Sequence, residues 1–384
     1  MSDKLEVKNI GPVAEAKIIF KDLTVFIGPQ ATGKSLLLQL YVLIKDFGYI
    51  KKDLDLWGYS WNNINDFCSL YFGSGMQHAF NDKTEIIYNS NSFNIENRLK
   101  ATRDNEPVHF YIPAQRVLTT ELSWAKPFVG FEHSYPYSIK KFSDLLRFEL
   151  DKWTRGQEEK TLFPSPRMLR KELREDIIES MRYGDIIVKK SSNRKQFSMK
   201  IKGNQELHFG SWSAGQKEFI PFLFALYWAL PFGKTSKKDE IQYIVIEEPE
   251  MGLHPKATIA AMKLIFELLW RGYKISISTH SNTILELMWA IMEIQKNKKN
   301  ERKAPEKKLL ELLDIKSKNK DMIKFAKFIL DKKYATYFFD NADASGVKVK
   351  DITSLDLEEP TNWGGLTQFS SNVANIIGSL YADY

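Results

Sequence analysis

The most definite chemistry in the chain lies in Gly28-Pro29-Gln30-Ala31-Thr32-Gly33-Lys34-Ser35. Glycines at these positions let the backbone turn so that successive N–H groups face a phosphate, while Lys34 reaches the β- and γ-phosphates and Ser35 ligates Mg²⁺. A hydrophobic run, Leu23 to Ile27, precedes the loop and a helical pattern follows it, so the phosphates would rest on a helix N-terminus. A second centre is Tyr243-Ile244-Val245-Ile246-Glu247-Glu248-Pro249-Glu250, an apolar strand that delivers carboxylates at its C-terminal end, where ligands of parallel sheets gather. Adjacent strand residues point oppositely. Glu247 is therefore assigned to the Mg²⁺ shell and Glu248 to polarising an attacking water, with a solvated acidic loop as the competing reading.

Two weaker signals accompany these. Ser213-Ala214-Gly215-Gln216 opens the most apolar helix of the chain, and small residues at a helix N-terminus form an anion site without needing charge, although Ser213 could equally serve as an N-cap. Thr279-His280-Ser281 places an imidazole at another strand end, where a purely structural histidine is the alternative.

The elements that must position these residues are legible in outline. Leu5 to Ile10, Ala14 to Phe20 and Leu23 to Ile27 read as strands, and Ser35 to Phe47 as a helix. Residues 53–107 are polar and aromatic without clear periods and read as a peripheral insertion, after which Val108 to Ile112 is another core strand. Phe142 to Trp153 and Met168 to Arg182 read as amphipathic helices, and Asp185 to Lys190 with Gln196 to Lys202 as a hairpin. The core resumes with a helix after Ser213, a strand at Tyr243 to Ile246, a helix from Lys256 to Trp270 and a strand at Lys274 to Ser278. Strands alternating with helices indicate a mainly parallel sheet. The expected division is an N-terminal core lobe over 1–117, an inserted subdomain over 118–207, a second core lobe over 208–290, and a basic helical segment with a C-terminal cap over 291–384.

Composition narrows the function classes. The single cysteine, Cys68, excludes an internal disulfide and a cysteine-rich zinc site, suits a reducing compartment, and reads as a small buried apolar residue. The first residues carry alternating charge and no export signal, so a cytoplasmic location is expected. The longest apolar run, Phe219 to Gly233, falls short of the ~20 residues of a spanning helix and reads as a buried helix. Within a net charge of +7, Gln295 to Lys333 holds fourteen lysines and arginines against six acids. That segment is either a solvated lysine-rich face or a contact for nucleic acid or an acidic partner.

Taken in order, the phosphate loop, the SxGQ stretch, the hydrophobic strand ending Glu-Glu-Pro-Glu and the strand ending Thr-His resemble the ABC ATPase superfamily. The Asn9-Ile10-Gly11-Pro12 turn, the Glu247-to-Pro255 stretch and Ser278-Thr279-His280-Ser281 are similar to its soluble RecF/SMC/OLD-type branch. The resemblance covers the chain before about residue 50 and over 108–117 and 208–285. It implies an α/β fold of the ABC-type P-loop ATPase kind, with an antiparallel N-terminal β part, a mainly parallel core sheet and an inserted, mainly helical subdomain. It implies ATP and Mg²⁺ as cofactors, hydrolysis of ATP to ADP and phosphate, and a homodimer or higher assembly with composite sites. Ser213, Ala214, Gly215 and Gln216 then act in trans on the partner's γ-phosphate, His280 is the switch histidine, and His254 falls at the dimer seam. Gln115 matches the Q-loop glutamine, with a catalytic and Mg²⁺-shell role. Glu247 stands where aspartate is usual, Ala214 where the first signature glycine is usual, and no aromatic residue is assigned to the base.

Such an ATPase drives something else. Asp340 to Gly346 reads as a hairpin turn, not a nuclease DxD, and zinc, cysteine-nucleophile and HNH signatures are missing, as is the coiled coil of a chromosome tether. With the closing Asn362 to Ser370 segment, the chain resembles stand-alone ATPases of bacterial anti-phage systems of the PARIS or Septu type. That resemblance implies a sensor or scaffold controlling a separate effector, a nuclease or toxin, with no membrane partner. The contact surface would be 118–207 or 295–333. A RecF-like DNA-repair ATPase gripping DNA through the basic segment is the alternative, and a binding module without turnover is a second.

Overall fold

The computed structural model describes residues 3–354 apart from 102–104, 122, 166–167, 183, 192–193, 202–204, 232–236, 299–303, 318 and 341–345. The Asn362 to Ser370 segment and the rest of the expected cap beyond 354 lie outside the described residues.

The N-terminal part runs β1 (Lys4–Ile10), β2 (Val13–Ile19), β3 (Leu23–Ile27), α1 (Lys34–Leu56), α2 (Ile64–Phe72), β4 (Glu85–Tyr88), β5 (Asn91–Ser92), α3 (Ile95–Lys100) and β6 (His109–Ile112). The next stretch holds β7 (Thr120–Glu121), β8 (Trp124–Ala125), α4 (Tyr137–Trp153), β9 (Glu159–Phe163), α5 (Lys171–Met181), β10 (Asp185–Ser191), β11 (Arg194–Lys200) and β12 (Glu206–His208). The chain then forms α6 (Ala214–Ala229), β13 (Tyr243–Glu247), α7 (Pro255–Trp270), β14 (Lys274–Thr279), α8 (Asn282–Lys296), α9 (Pro305–Leu312), α10 (Lys320–Leu330), β15 (Tyr334–Asp340) and β16 (Val347–Asp351).

Ten strands share one sheet in the order β5-β4-β1-β2-β16-β15-β3-β14-β13-β6. From β15 to β6 all neighbours are parallel, while β1 pairs antiparallel with β2 and β4. The fold is α/β with a mostly parallel core. Its parallel strands are buried on both faces, as strands covered by helices must be. Phe26, Tyr111 and Val245 enter the core cluster that includes residues of α1 and α2, while Val25, Ile27, Phe110, Ile112, Ile244 and Ile246 enter the one that includes residues of α6, α7 and α8.

Several elements differ from their expected outlines. Helix α1 does not stop at Phe47; it continues to Leu56 across a kink at Asp46 (φ −104°, ψ 19°). The Asp46 carboxylate accepts the N–H groups of Val108 and His109 at 3.1 and 3.0 Å, so the kink anchors the start of β6. The 53–107 stretch is not wholly peripheral, because β4 extends the main sheet through β1. The inserted stretch carries the expected helices, but the hairpin at its centre belongs to a four-stranded antiparallel sheet, β12-β11-β10-β9. Arg170 and Arg271 both bind Glu267, at 2.8 and 2.9 Å, and tie the start of α5 to α7.

The largest departure is β15. It lies beside β3 in the parallel core and pairs on its other side, antiparallel, with β16; residues 341–345 of the expected Asp340 to Gly346 turn lie outside the described residues. The C-terminal part of the chain thus supplies core sheet as well as basic helices.

Candidate functional site

The phosphate loop joins β3 to α1. Gly28 has φ +149°, and a Cβ there would lie 2.7 Å from the carbonyl oxygen of Phe339 on β15, so only glycine fits against this neighbouring strand. Gly33 caps α1 in the left-handed region without a side-chain hydrogen bond, which leaves the first N–H groups of the helix free for an anion. Lys34 is buried and donates to the carbonyl oxygens of Gly28 and Pro29 at 2.9 and 2.6 Å, folded into its own loop. Burial lowers its pKa to about 8, against the opposing charges of Glu248, Glu250 and Glu247. Lys34 is thus a cation held in a low-dielectric cradle, where a phosphate group would stabilise its charge.

Glu247 ends β13 and is almost fully buried. One carboxylate oxygen accepts the Ala114 N–H at 3.2 Å; the other, Oε1, is buried and has no hydrogen-bond partner. Burial raises the Glu247 pKa, opposed first by Ser35 and then by Tyr111. An unpaired buried carboxylate oxygen beside a serine hydroxyl is the oxygen donor set that Mg²⁺ takes from a protein, with phosphates and water completing it. Among the described residues there is no group of three or more His, Cys, Asp or Glu side chains that could hold a metal ion.

Glu248 occupies the left-handed region at φ +41°, a conformation that costs a non-glycine residue roughly 1–3 kcal/mol and clusters at functional sites. Its Oε1 lies 3.0 Å from His280 Nε2. That hydrogen bond holds the Glu248 pKa below its ordinary value, against partial burial. The structure therefore brings together Lys34, Ser35, Glu247, Glu248 and His280 from three adjacent parallel strands, β3, β14 and β13.

Two residues without an assigned role prove central. Glu250 Oε1 accepts the Thr279 hydroxyl at 2.6 Å and the His280 N–H at 2.8 Å, fixing the loop that carries the imidazole. It lay within the Glu-Glu-Pro-Glu motif, and that context was its only sequence signal. Arg116 is 1% exposed and donates to the carbonyl oxygens of Glu247, Pro113, Glu248 and Glu218 at 2.9, 3.0, 3.1 and 3.2 Å. Its signal was adjacency to Gln115. Gln115 itself is exposed, and the loop meets Glu247 through the Ala114 N–H and Arg116.

The Ser213 stretch opens α6. Ser213 N-caps α6, its hydroxyl accepting the Gln216 N–H at 3.3 Å while the Gln216 side chain accepts the Ser213 N–H at 3.0 Å. This is a capping box. Ser213 is thus the N-cap, and it and Ala214 are exposed at the helix N-terminus. Gly215 is less exposed, and a Cβ there would meet the Gly252 carbonyl oxygen at 2.4 Å. His254, also exposed, N-caps α7. Cys68 is buried in α2, with its thiol pushed up to about 12.

Residues 23–286 match the family described as "AAA domain, putative AbiEii toxin, Type IV TA system", a span of more than half the chain. The chain belongs to this family. The matched span opens at β3 and closes just after Ser281, so the whole candidate site falls inside it. A P-loop ATPase fold carries the site, and ATP binding is its ordinary use. No curated protein matches the chain in sequence. Among solved structures, it is similar to an SmcHead bound to the C-winged helix domain of ScpA (12% identity, TM-score 0.41, 93% of this chain and 98% of that one). It is also similar to the SMC head domain from Thermotoga maritima (11%, 0.34, 91% and 98%). A third is an ATP-binding subunit of an ABC transporter (15%, 0.32, 74% and 82%). Among the described residues no helix is long and apolar enough to cross a membrane.

Proposed function

We propose that the protein hydrolyses ATP at a site shared between two copies of the chain, and that closure of this dimer controls a separate effector, a nuclease or toxin, in anti-phage defence. The observation that carries the ATPase part is the 3.0 Å contact between Glu248 and His280, set beside buried Lys34 and the unpaired oxygen of Glu247. A carboxylate held ionised by an imidazole is suited to orient and polarise a water at the end of a phosphate chain. Lys34 would balance the charge of the β- and γ-phosphates, and the free N–H groups of the loop and α1 would grip their oxygens. Ser35 and Glu247 would hold Mg²⁺, which when bound neutralises phosphate charge. His280 would carry the γ-phosphate contact to Glu248.

Dimerisation is supported by the exposure of the α6 N-terminus, which leaves Ser213 and Ala214 open to a second molecule. The family description, with its toxin and Type IV TA system, supports an effector-linked role. The RecF-like alternative would draw on the other basic residues of the segment, because Lys296, Lys298 and Lys308 pair with Glu293, Asp331 and Glu311. A cytoplasmic setting suits a chain whose single cysteine, Cys68, is a buried free thiol.

Mixing Lys34→Ala with Ser213→Arg subunits tests shared sites. Each variant alone should be inactive, and the mixture should recover activity from one intact composite site per heterodimer. A mixture as inactive as its parents contradicts shared sites. Purification of the native complex should yield the effector as a second chain, and its absence would remove the effector reading.

A further inference from the structure

We propose that Arg116 is a positioning residue through which the signature helix α6 sets the conformation of Glu248, so that engagement of Ser213 by a second subunit's nucleotide is read at the catalytic carboxylate. The proposal rests on the ATPase reading above. Its basis is the distribution of the guanidinium's bonds over three segments distant in sequence. Nη1 binds the carbonyl oxygens of Pro113, after β6, and of Glu247, at the end of β13; Nη2 binds that of Glu248; Nε binds that of Glu218, in the second turn of α6. A planar fork with five donors suits this task, and a lysine ammonium cannot span the same set.

The grip on α6 is double. The Glu218 carboxylate accepts the Val117 N–H at 3.1 Å, so the 113–119 loop is held to α6 through Arg116 on one side and Val117 on the other. Burial raises the Glu218 pKa and the Arg116 charge opposes it, which makes the pair mutually dependent. At the other end, the left-handed backbone of Glu248 persists only where its surroundings over-determine it. Those surroundings are the bonds from Arg116 and from the Met251 N–H, the latter at 3.0 Å, to its carbonyl oxygen, and its own N–H to the Ser278 carbonyl oxygen at 2.9 Å. Of these three restraints, the Arg116 bond is the one anchored on α6. A displacement of α6 is thereby passed to the residue that aims the Glu248 carboxylate, while Lys34 and the phosphate loop are left alone.

Steady-state ATP hydrolysis and ATP binding of the full-length wild type, Arg116→Lys, Glu218→Ala and the double variant test this. Arg116→Lys should lower kcat roughly tenfold or more with the ATP dissociation constant within about threefold. Glu218→Ala keeps the main-chain carbonyl that Arg116 binds and removes the carboxylate that holds Val117, so it should lower kcat by a smaller factor, and the double variant should be no slower than Arg116→Lys, because both bonds serve the one grip of the 113–119 loop on α6. A kcat of Arg116→Lys equal to wild type, a parallel loss of kcat and ATP affinity, or additive effects in the double variant overturns the proposal. Should Arg116→Lys not fold, Arg116→Gln takes its place, with wild-type kcat as the overturning result. The wild-type arm separates the two readings: no wild-type turnover removes the ATPase reading, whereas wild-type turnover matched by Arg116→Lys removes only the coupling.

Discussion

Glu250→Ala removes the acceptor that fixes the switch loop and touches no atom expected to contact nucleotide. In the native protein Glu250 Oε1 takes two bonds, from the Thr279 hydroxyl at 2.6 Å and the His280 N–H at 2.8 Å, while Oε2 has no partner to lose. Hydrogen bonds to a charged group contribute about 1.5–3 kcal/mol each, and the returned desolvation of the carboxylate offsets part of this, leaving about 2 kcal/mol. His280 would then no longer be held against Glu248 Oε1. If that energy is expressed in the transition state, kcat falls roughly 30-fold. ATP affinity should hold or rise slightly, since a negative charge near Lys34 has been removed. Steady-state hydrolysis with parallel nucleotide-binding titrations measures both. A kcat within about twofold of wild type refutes the reasoning that Glu250 positions the imidazole.

Two further outcomes follow from the same geometry. Gly215→Ala would bring a Cβ to within 2.4 Å of the Gly252 carbonyl oxygen, so the signature turn or the 252 loop must shift. Overpacking of this kind costs about 1–3 kcal/mol, and thermal unfolding should show a melting temperature lower by several degrees; an unchanged one contradicts the close approach. Lys34, with its pKa lowered to about 8, is partly neutral in the free protein at moderately alkaline pH and would be recharged by a bound triphosphate. Binding then takes up a proton, so ATP affinity should weaken as pH rises above about 8 and calorimetric heats should vary with buffer ionisation. Affinity independent of pH between about 7 and 9.5 contradicts a depressed Lys34.

The phosphate loop and the Glu247-Glu248 strand were legible because their chemistry is local: glycine, lysine and serine at fixed spacing, and acids after four apolar residues. The same local logic found α6, α7 and the β10–β11 hairpin. It could not place β15, because Tyr334 to Asp340 carries no sign that its partner is β3, some three hundred residues earlier in the sequence. Nor could it extend α1 beyond Phe47, because the helix runs on across a kink at Asp46, whose carboxylate turns to cap the start of β6 far along the chain. Arg116 escaped for a related reason. A charged residue beside Gln115 reads as surface until the fold wraps four carbonyl oxygens around it. Glu250 was in view inside its motif, but its task depends on the Thr279-His280 loop arriving from the next strand.

The central claim is that Glu248 acts on a nucleotide held by Lys34 and Ser35. Single-turnover hydrolysis of ATP in the presence of Mg²⁺, by wild type and by Glu248→Gln, tests it most directly. The substitution keeps the size of the side chain and removes its charge. Wild type should hydrolyse ATP, and Glu248→Gln should bind ATP with wild-type affinity, hydrolyse it roughly 10²–10⁴-fold more slowly and accumulate as the ATP-bound dimer. Hydrolysis by Glu248→Gln at the wild-type rate would contradict the account.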